Sequence, residues 1–475
     1  MKVASIVLCT LIFISCQNKE VPKEGKEGIW QAIGYGRVLK IDSETFAFYD
    51  VSSISCLPLQ EGGIASFGDK LSLRNDILVQ QKGTGIYEYV RLEKMPHTCT
   101  ESLSDSQKND PVYNFEVYAE VIKNNYAYFE DNQINWDSLY TINRNKISKN
   151  SSKTELYLVM KDIMAALKDN HGYVEPLDEV YEQASAMETE VPSESGQDTL
   201  PEYGDFQMAQ LVSDTFLEED LTEDSPIIRW GKLEGNIGYI HVKSMWLFGD
   251  LNLPDSLVQK NGYINTYVDT FVQMNESEYI EKERIGAAKI MDRVMEDLQN
   301  TDSIILDIRF NGGGQDAVSL EILKLFNTKK RKVASKKTKT AEGFTSEISI
   351  HMEGSKNAYV NPIFLLTSQQ SASASDFLVM ASKALPHFTR IGSRSQGALS
   401  DALEKPLPNG WSFAISNEVY YDIDGICYES IGIPPHYELN YPEDRQSFFR
   451  SVASDLDLDK KTILDAIAAV NNQLR

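Results

Sequence analysis

The sequence is short of the residues that most readily announce chemistry. It has five cysteines and six histidines in 475 residues, and neither a C-x-x-C pair nor an H-E-x-x-H signature occurs. No metal site and no cofactor are therefore expected. Positive charge is scarce too: 46 Lys and Arg stand against 70 Asp and Glu, a formal net charge of −24. Such a field repels polyphosphates and anionic lipid surfaces, which excludes nucleic acid as a partner. What is present is ample apolar material, 42% of residues with 10% aromatic. At this length that implies several packed units and no extended disordered tail.

The first residues set the address. Lys2 precedes the apolar run VASIVLCTLIFI, too short to span a bilayer but suited to the core of a signal peptide. The run ends at Ile14-Ser15-Cys16, followed by the polar stretch QNKEVPKEGKEG. A small residue before a cysteine at this place resembles the bacterial lipobox. That resemblance implies a leader over 1–16, lipid on Cys16, membrane contact through that lipid, and a location in the bacterial cell envelope. Phe13 stands where leucine is usual, and ordinary secretion is the alternative. Beyond Cys9 and Cys16, only Cys56, Cys99 and Cys427 remain, and the first two are close enough in the chain to pair in an oxidising compartment.

After a flexible linker over 17–28, residues 29–103 read as a small β-rich domain. RVLKI, TFAFYDV, KLSL and YEYVRL are alternating, β-branched or aromatic, and Gly-Asp, Gly-Gly and Asn-Asp break them. The period changes to helical over 104–175, where Leu156, Val159, Ile163 and Leu167 share one face. Residues 176–226 are acidic and poor in periodicity, and read as a long loop or lid. From 227 to 442 apolar strands (NIGYIHV, SIILDIRF, PIFLLT) alternate with helices, the pattern of an α/β core with right-handed crossovers. Two packing helices are expected over 443–475.

Two stretches of this core stand out. LLTSQQSASASDFLVMASKAL runs from a buried strand through Ser371, Ser373 and Ser375 into a helix. A serine there sits beside unpaired amides and the positive end of the helix dipole. Read locally, Ser375 is equally well an N-cap and the other serines turn-fillers. The second stretch, Asp307-Ile-Arg-Phe-Asn-Gly-Gly-Gly314, follows a strand directly. Three successive glycines imply a tight turn or a close backbone approach. Neither the P-loop nor the G-x-G-x-x-G pattern fits here, whereas an amide-donating loop for an oxyanion does.

Together, ILDIRFNGGG and SASASDF resemble the core of the C-terminal processing, or tail-specific, serine peptidases, a superfamily that includes the tricorn core. The resemblance spans residues 105 to 440. It implies a crotonase- and Clp-protease-like ββα core, with the helical subdomain and the small β domain in front of it. It makes Ser373 the nucleophile, with the amides of Ala374 and Gly313 as oxyanion donors. The processing branch places a base lysine where GSRSQGALSD here has Ala398. The tricorn-like branch uses instead a histidine after a helix and a late glutamate. LKDNHGYV supplies His171 and DGICYESIGIPP supplies Glu429, so the chain is expected nearer that branch. Glu418 rivals Glu429, whereas His97, His241, His351, His387 and His436 lie in no comparable motif, and Asp376 reads as a helix cap.

The resemblance implies a serine endopeptidase acting on peptides or unfolded protein tails through an acyl-enzyme. Two alternatives stay open at this point: a non-catalytic peptide- or ligand-binding lipoprotein on the same fold, and hydrolysis of a non-peptide acyl substrate. The basic run KKRKVASKKTK, 329–339, reads as a solvated hairpin. Oligomeric state and natural substrate are not legible.

Overall fold

The computed structural model of the chain describes residues 25–189, 200–223 and 225–473. The leader 1–16 with Cys16, and residues 17–24 of the linker, lie outside the described residues.

The N-terminal part is an antiparallel sheet of seven strands. Gly28–Ala32 is at its centre, flanked by Arg37–Ile41, Thr45–Val51 and Cys56–Gly63 on one side, and by Gly85–Leu92, Ile77–Lys82 and Leu71–Arg74 on the other. Alternation fixes which face is inward: Trp30, Leu39, Ile41, Phe46, Leu78, Tyr87 and Tyr89 are all buried. Cys56 and Cys99 form a disulfide. The sheet does not enclose a core of its own. Its apolar face runs into one cluster with helices Pro111–Asn125 and Lys153–Leu167 and with Leu403, Trp411, Phe413 and Ile415 from the far end of the chain.

The second large sheet is mixed. Its order is Tyr437–Glu438, Phe388–Gly392, Ile363–Thr367, Ser303–Asp307, Ile237–Val242, Ile228–Leu233 and Glu219–Asp220. The strands from Ile237–Val242 through Tyr437–Glu438 pair in parallel, as strands joined by helical crossovers must. Helices Glu276–Leu298, Asp316–Lys324 and Ala374–Ser382 pack on one face. Asp205–Phe216 and the C-terminal helices Arg445–Ala453 and Leu456–Gln473 pack on the other. The expected mixed α/β architecture, with a helical segment and an N-terminal sheet, is what the chain adopts.

Two expectations need correction. The stretch 176–226 is not one long loop: helices Asp178–Thr189 and Asp205–Phe216 lie within it. In the second, Met208, Val212 and Phe216 recur at four-residue spacing and are fully buried, so packing of that stripe outweighs the acidic surroundings. The basic run does form one arm of a hairpin, with Lys329, Lys330 and Lys332 exposed, but residues 333–336 are buried and not solvated. Arg331–Thr340 is the middle strand between Ile348–Met352 and Glu418–Asp422, and Lys336 is buried within it, 2.7 Å from Glu418 Oε2. A lysine is tolerated there because a carboxylate 82 residues away meets it.

A comparable pair joins the N-terminal sheet to the C-terminal half. Lys405 Nζ lies 2.6 Å from Asp50 Oδ2 and also donates to the Tyr35 carbonyl. The two side chains are 1% and 4% exposed. Burial holds the lysine below and the aspartate above their ordinary ranges, so desolvation costs this pair more than attraction returns. Asp50→Ala is expected to lower stability in urea by about 3–5 kcal/mol, because it strands a buried ammonium. In the double variant Asp50→Ala/Lys405→Met most of that loss should be recovered.

Candidate active site

The serine stretch becomes a sharp turn between strand Ile363–Thr367 and helix Ala374–Ser382. Its three serines have three different environments. Ser371 is fully buried; its Oγ donates to the Ile308 carbonyl (2.9 Å) and accepts from Ser368 N (3.1 Å). Ser375 is also fully buried, with no partner for its hydroxyl among the described residues. Ser373 alone is partly exposed. It holds φ 54° and ψ −121°, a conformation that a residue with a side chain adopts only under constraint. The constraint is visible: Ser373 N donates to Asp376 Oδ2 (3.1 Å), and Phe377 N donates to the Ser373 carbonyl (2.9 Å). The next amide, Ala374 N–H, makes no hydrogen bond among the described residues.

The triple-glycine turn is stitched to this serine turn. Ser368 Oγ donates to the Arg309 carbonyl (2.5 Å) and Ala372 N to the Asn311 carbonyl (3.2 Å). Gly313 has φ +107°, and a Cβ there would lie 2.7 Å from Ser373 Cβ and 2.7 Å from the Ala372 carbonyl oxygen. Only glycine permits so close an approach at such a φ. The Gly313 amide, however, donates to Asn311 Oδ1 at 2.9 Å, so it is engaged as the structure stands. Below the turn, the fully buried Arg309 bridges Asp307 (2.7 Å) and Asp459 of the last helix (2.9 Å). The Asp-x-Arg of the motif is thus an anchor.

His171 reaches this neighbourhood through its two predecessors. Helix Lys153–Leu167 ends at Lys168 in the left-handed region, which turns the chain back towards the core. Asp169 then accepts from Ser416 N (2.7 Å), Ser416 Oγ (2.6 Å) and His171 N (3.0 Å). Asn170 Nδ2 donates to the Gly397 carbonyl (3.1 Å). Strand Tyr173–Glu175 completes the docking by pairing with Ser412–Ser416. The His171 ring is partly buried, and its Nδ1 has no hydrogen-bond partner among the described residues. Burial holds its pKa below the ordinary 6.5, against the opposing pull of Asp169 and Asp401.

The segment 397–400 is where these parts meet. Asp376 accepts from Gly397 N and Ala398 N, both at 2.9 Å. Glu429 Oε2 accepts from Leu399 N (2.8 Å) and Ser400 N (3.0 Å). Ser430 N donates to the Gly397 carbonyl (2.7 Å). Glu429 and the neighbours of Ser373 and His171, Asp376 and Asn170, therefore bond to one loop, although no hydrogen bond joins any two of Ser373, His171 and Glu429 among the described residues. Ala398, where the other branch keeps its lysine, is buried. The rival Glu418 is committed elsewhere, to Lys336 (2.7 Å) and the Tyr35 hydroxyl (2.5 Å). Asp169, Asn170 and Asp376 were not singled out as positioning residues from the sequence. The cap reading of Asp376 accounts for its bond to Ser373 N, whereas its bonds to Gly397 and Ala398, and those of Asp169 to Ser416 and Asn170 to Gly397, reach far along the chain, where no local pattern marks them.

A partly exposed turn serine with an unengaged amide beside it, on a mixed α/β core, suits a serine hydrolase. Residues 236–439 match the model of peptidase family S41, and residues 107–165 match the tricorn protease C1 domain. Residues 236–439 thus carry the core of peptidase family S41, the C-terminal processing peptidases, and the chain is a serine-type peptidase acting on protein or peptide. Two solved structures share the fold. One, from Parabacteroides merdae ATCC 43184 and described as a candidate peptidase, is 18% identical with a TM-score of 0.50, over 74% of this chain and 97% of that one. The other, mature CPAF complexed with lactacystin, is 12% identical with a TM-score of 0.51, over 76% and 99%. No curated protein matches the sequence.

Glu429 gives the site a pH signature. Burial, chiefly, raises its carboxyl from the ordinary 4.5 to about 8; the two loop amides oppose this, and Asp169 and Asp376 add to it. Below pH 4.5 the folded and unfolded chains both hold the proton, and above about 8 neither does. Between these values only the folded chain keeps it, so stability falls as pH rises through the interval and stays lower above it. Glu429→Gln keeps a carbonyl acceptor for Leu399 and Ser400 but cannot ionise. It is expected to melt above the wild type at pH 9 and within error of it at pH 4.5, as read by calorimetry.

Proposed function

We propose that Ser373, His171 and Glu429 form the catalytic system of an endopeptidase that cuts peptides or unfolded protein ends through an acyl-enzyme. The observation that carries this reading is the strained, accessible Ser373 with the unengaged Ala374 amide next to it. His171 is the general base. A buried imidazole held neutral by its surroundings is ready to accept a proton near neutral pH. As the Ser373 Oγ–carbonyl carbon bond forms, the hydroxyl proton passes to His171 and the carbonyl electrons move onto oxygen. Ala374 N–H receives that oxyanion first. Gly313 supplies the second donor by exchanging Asn311 Oδ1 for the oxyanion. Collapse breaks the C–N bond, and His171 returns its proton to the departing amine. Water, deprotonated by the same histidine, then releases the acyl group. Glu429 acts through the loop: by holding Leu399 and Ser400 it keeps the 397–400 segment, and with it Asp376 and Asn170, in register.

A fluorophosphonate reagent tests the assignment. It is expected to label the wild-type protein and not Ser373→Ala, while His171→Ala labels at least a hundredfold more slowly. Full hydrolytic activity in folded His171→Ala would remove the histidine from the mechanism.

The second part of the reading is an address. Lipid on Cys16 would tether the enzyme to the bacterial envelope. Among the described residues no helix is long and apolar enough to cross a membrane, so attachment is assigned to the leader cysteine. Wild-type protein should fractionate with membranes and Cys16→Ala should be released; a variant that stays bound would overturn the anchor.

A further inference from the structure

A cavity of about 550 Å3 lies where the N-terminal sheet faces the peptidase core. Tyr35 and Tyr87 line it from the sheet, Gly314 and Asp316 from the turn beside Ser373, and Asp401 and Asn417 from the loops beyond the Glu429-bound segment. Its volume is that of a site for several side chains. Two of its lining residues adjoin the candidate site in the chain: Gly314 follows the glycine that abuts Ser373, and Asp401 follows Ser400, whose amide Glu429 holds.

The charges here do not balance. Asp316, Asp401 and Glu418 share one ammonium, Lys336, whose Nζ is 2.7 Å from Glu418 and 3.7 Å from Asp401. Among the described residues Asp316 receives only the Tyr420 hydroxyl, at 3.3 Å. Of the two cations in the wall only Lys82 has a carboxylate partner, and the Arg37 Nε has no hydrogen-bond partner among the described residues. Lys82 pairs with Glu276 at 2.9 Å, and Arg37 Nη2 donates to the Glu404 carbonyl at 3.1 Å. A second observation is independent of charge. Asn417 is 1% exposed, lines the cavity, and its Nδ2 has no hydrogen-bond partner among the described residues. A buried amide donor left unpaired is costly and calls for an acceptor that is not part of the resting chain.

Resting on the serine-peptidase reading, we propose that this cavity is a substrate subsite for a positively charged side chain. The lysine or arginine head meets Asp316 and Asp401, a backbone carbonyl of the same segment accepts from Asn417 Nδ2, and the aliphatic stem lies against Tyr35 and Tyr87. Burial and the neighbouring Asp401 hold the Asp316 carboxyl well above its ordinary range, so an arriving cation also restores its charge. The N-terminal sheet is thereby one wall of the specificity pocket.

Binding to Ser373→Ala tests this without turnover. A fluorescein-labelled heptapeptide of Gly, Ser and Ala with a single central Lys is compared with its norleucine counterpart by anisotropy. The Lys peptide is expected to bind at least tenfold more tightly, and Asp316→Asn/Asp401→Asn in the same background should abolish the difference. Equal affinities, or no binding of either peptide, overturn the subsite, and the peptide arm needs no further variant to fold. Fluorophosphonate labelling of the wild type is read alongside. Labelling with equal affinities rejects the subsite alone, whereas Lys discrimination without labelling rejects the nucleophile alone.

Discussion

The carboxylate of Asp376 holds together parts of the site that the chain delivers separately. It is fully buried in the first turn of the serine helix, where the helix dipole favours negative charge, and it accepts the amides of Ser373, Gly397 and Ala398. Burial still lifts its pKa to about 6, so the three amides offset only part of the desolvation cost. The return is geometric. One oxygen fixes the unfavourable backbone of the serine, while both fix the loop that carries Asn170 on one side and Glu429 on the other. Besides that carboxylate, the Gln396 amide, which donates to the Ser371 carbonyl at 3.0 Å, ties the serine turn to the same loop.

The same logic recurs at Asp169. There a carboxylate at the end of a helix collects two donors from Ser416 and one from His171. Ser373 and His171, the proposed nucleophile and base, are thus each placed by a short acidic residue two or three positions away, bonded to a segment distant in the chain. The reacting side chains themselves stay free of hydrogen bonds to one another, as suits groups that must rearrange when substrate arrives.

How much of this was legible varies with distance along the chain. The N-terminal strands were readable because alternation is a two-residue signal, and Arg37–Ile41 and Thr45–Val51 coincide with RVLKI and TFAFYDV. The core strands and the serine helix were readable from apolar runs bounded by glycines and small residues. Helix Asp205–Phe216 was hidden by its acidic setting, although its apolar stripe has the right spacing. The strand Arg331–Thr340 was hidden because seven charges in eleven residues imply solvent unless a distant carboxylate is known to be waiting. Asp169, Asn417 and the distant partners of Asp376 were opaque for the same reason: a side chain's partner is set by the fold, and periodicity does not encode it.

The mixed cluster beneath the N-terminal sheet bears on how the chain comes to be folded. Trp30 and Leu39 share that core with Phe413 and Ile415, so the first strands cannot finish burying their apolar face until nearly the whole chain is available. Contacts of such separation close late. The loop that orders His171 also waits for Ser416, and the cavity wall built by the sheet waits for Asn417. An unfinished chain therefore has neither a completed core nor a completed cutting site. Peptidase activity therefore follows the closing of the core and cannot precede it.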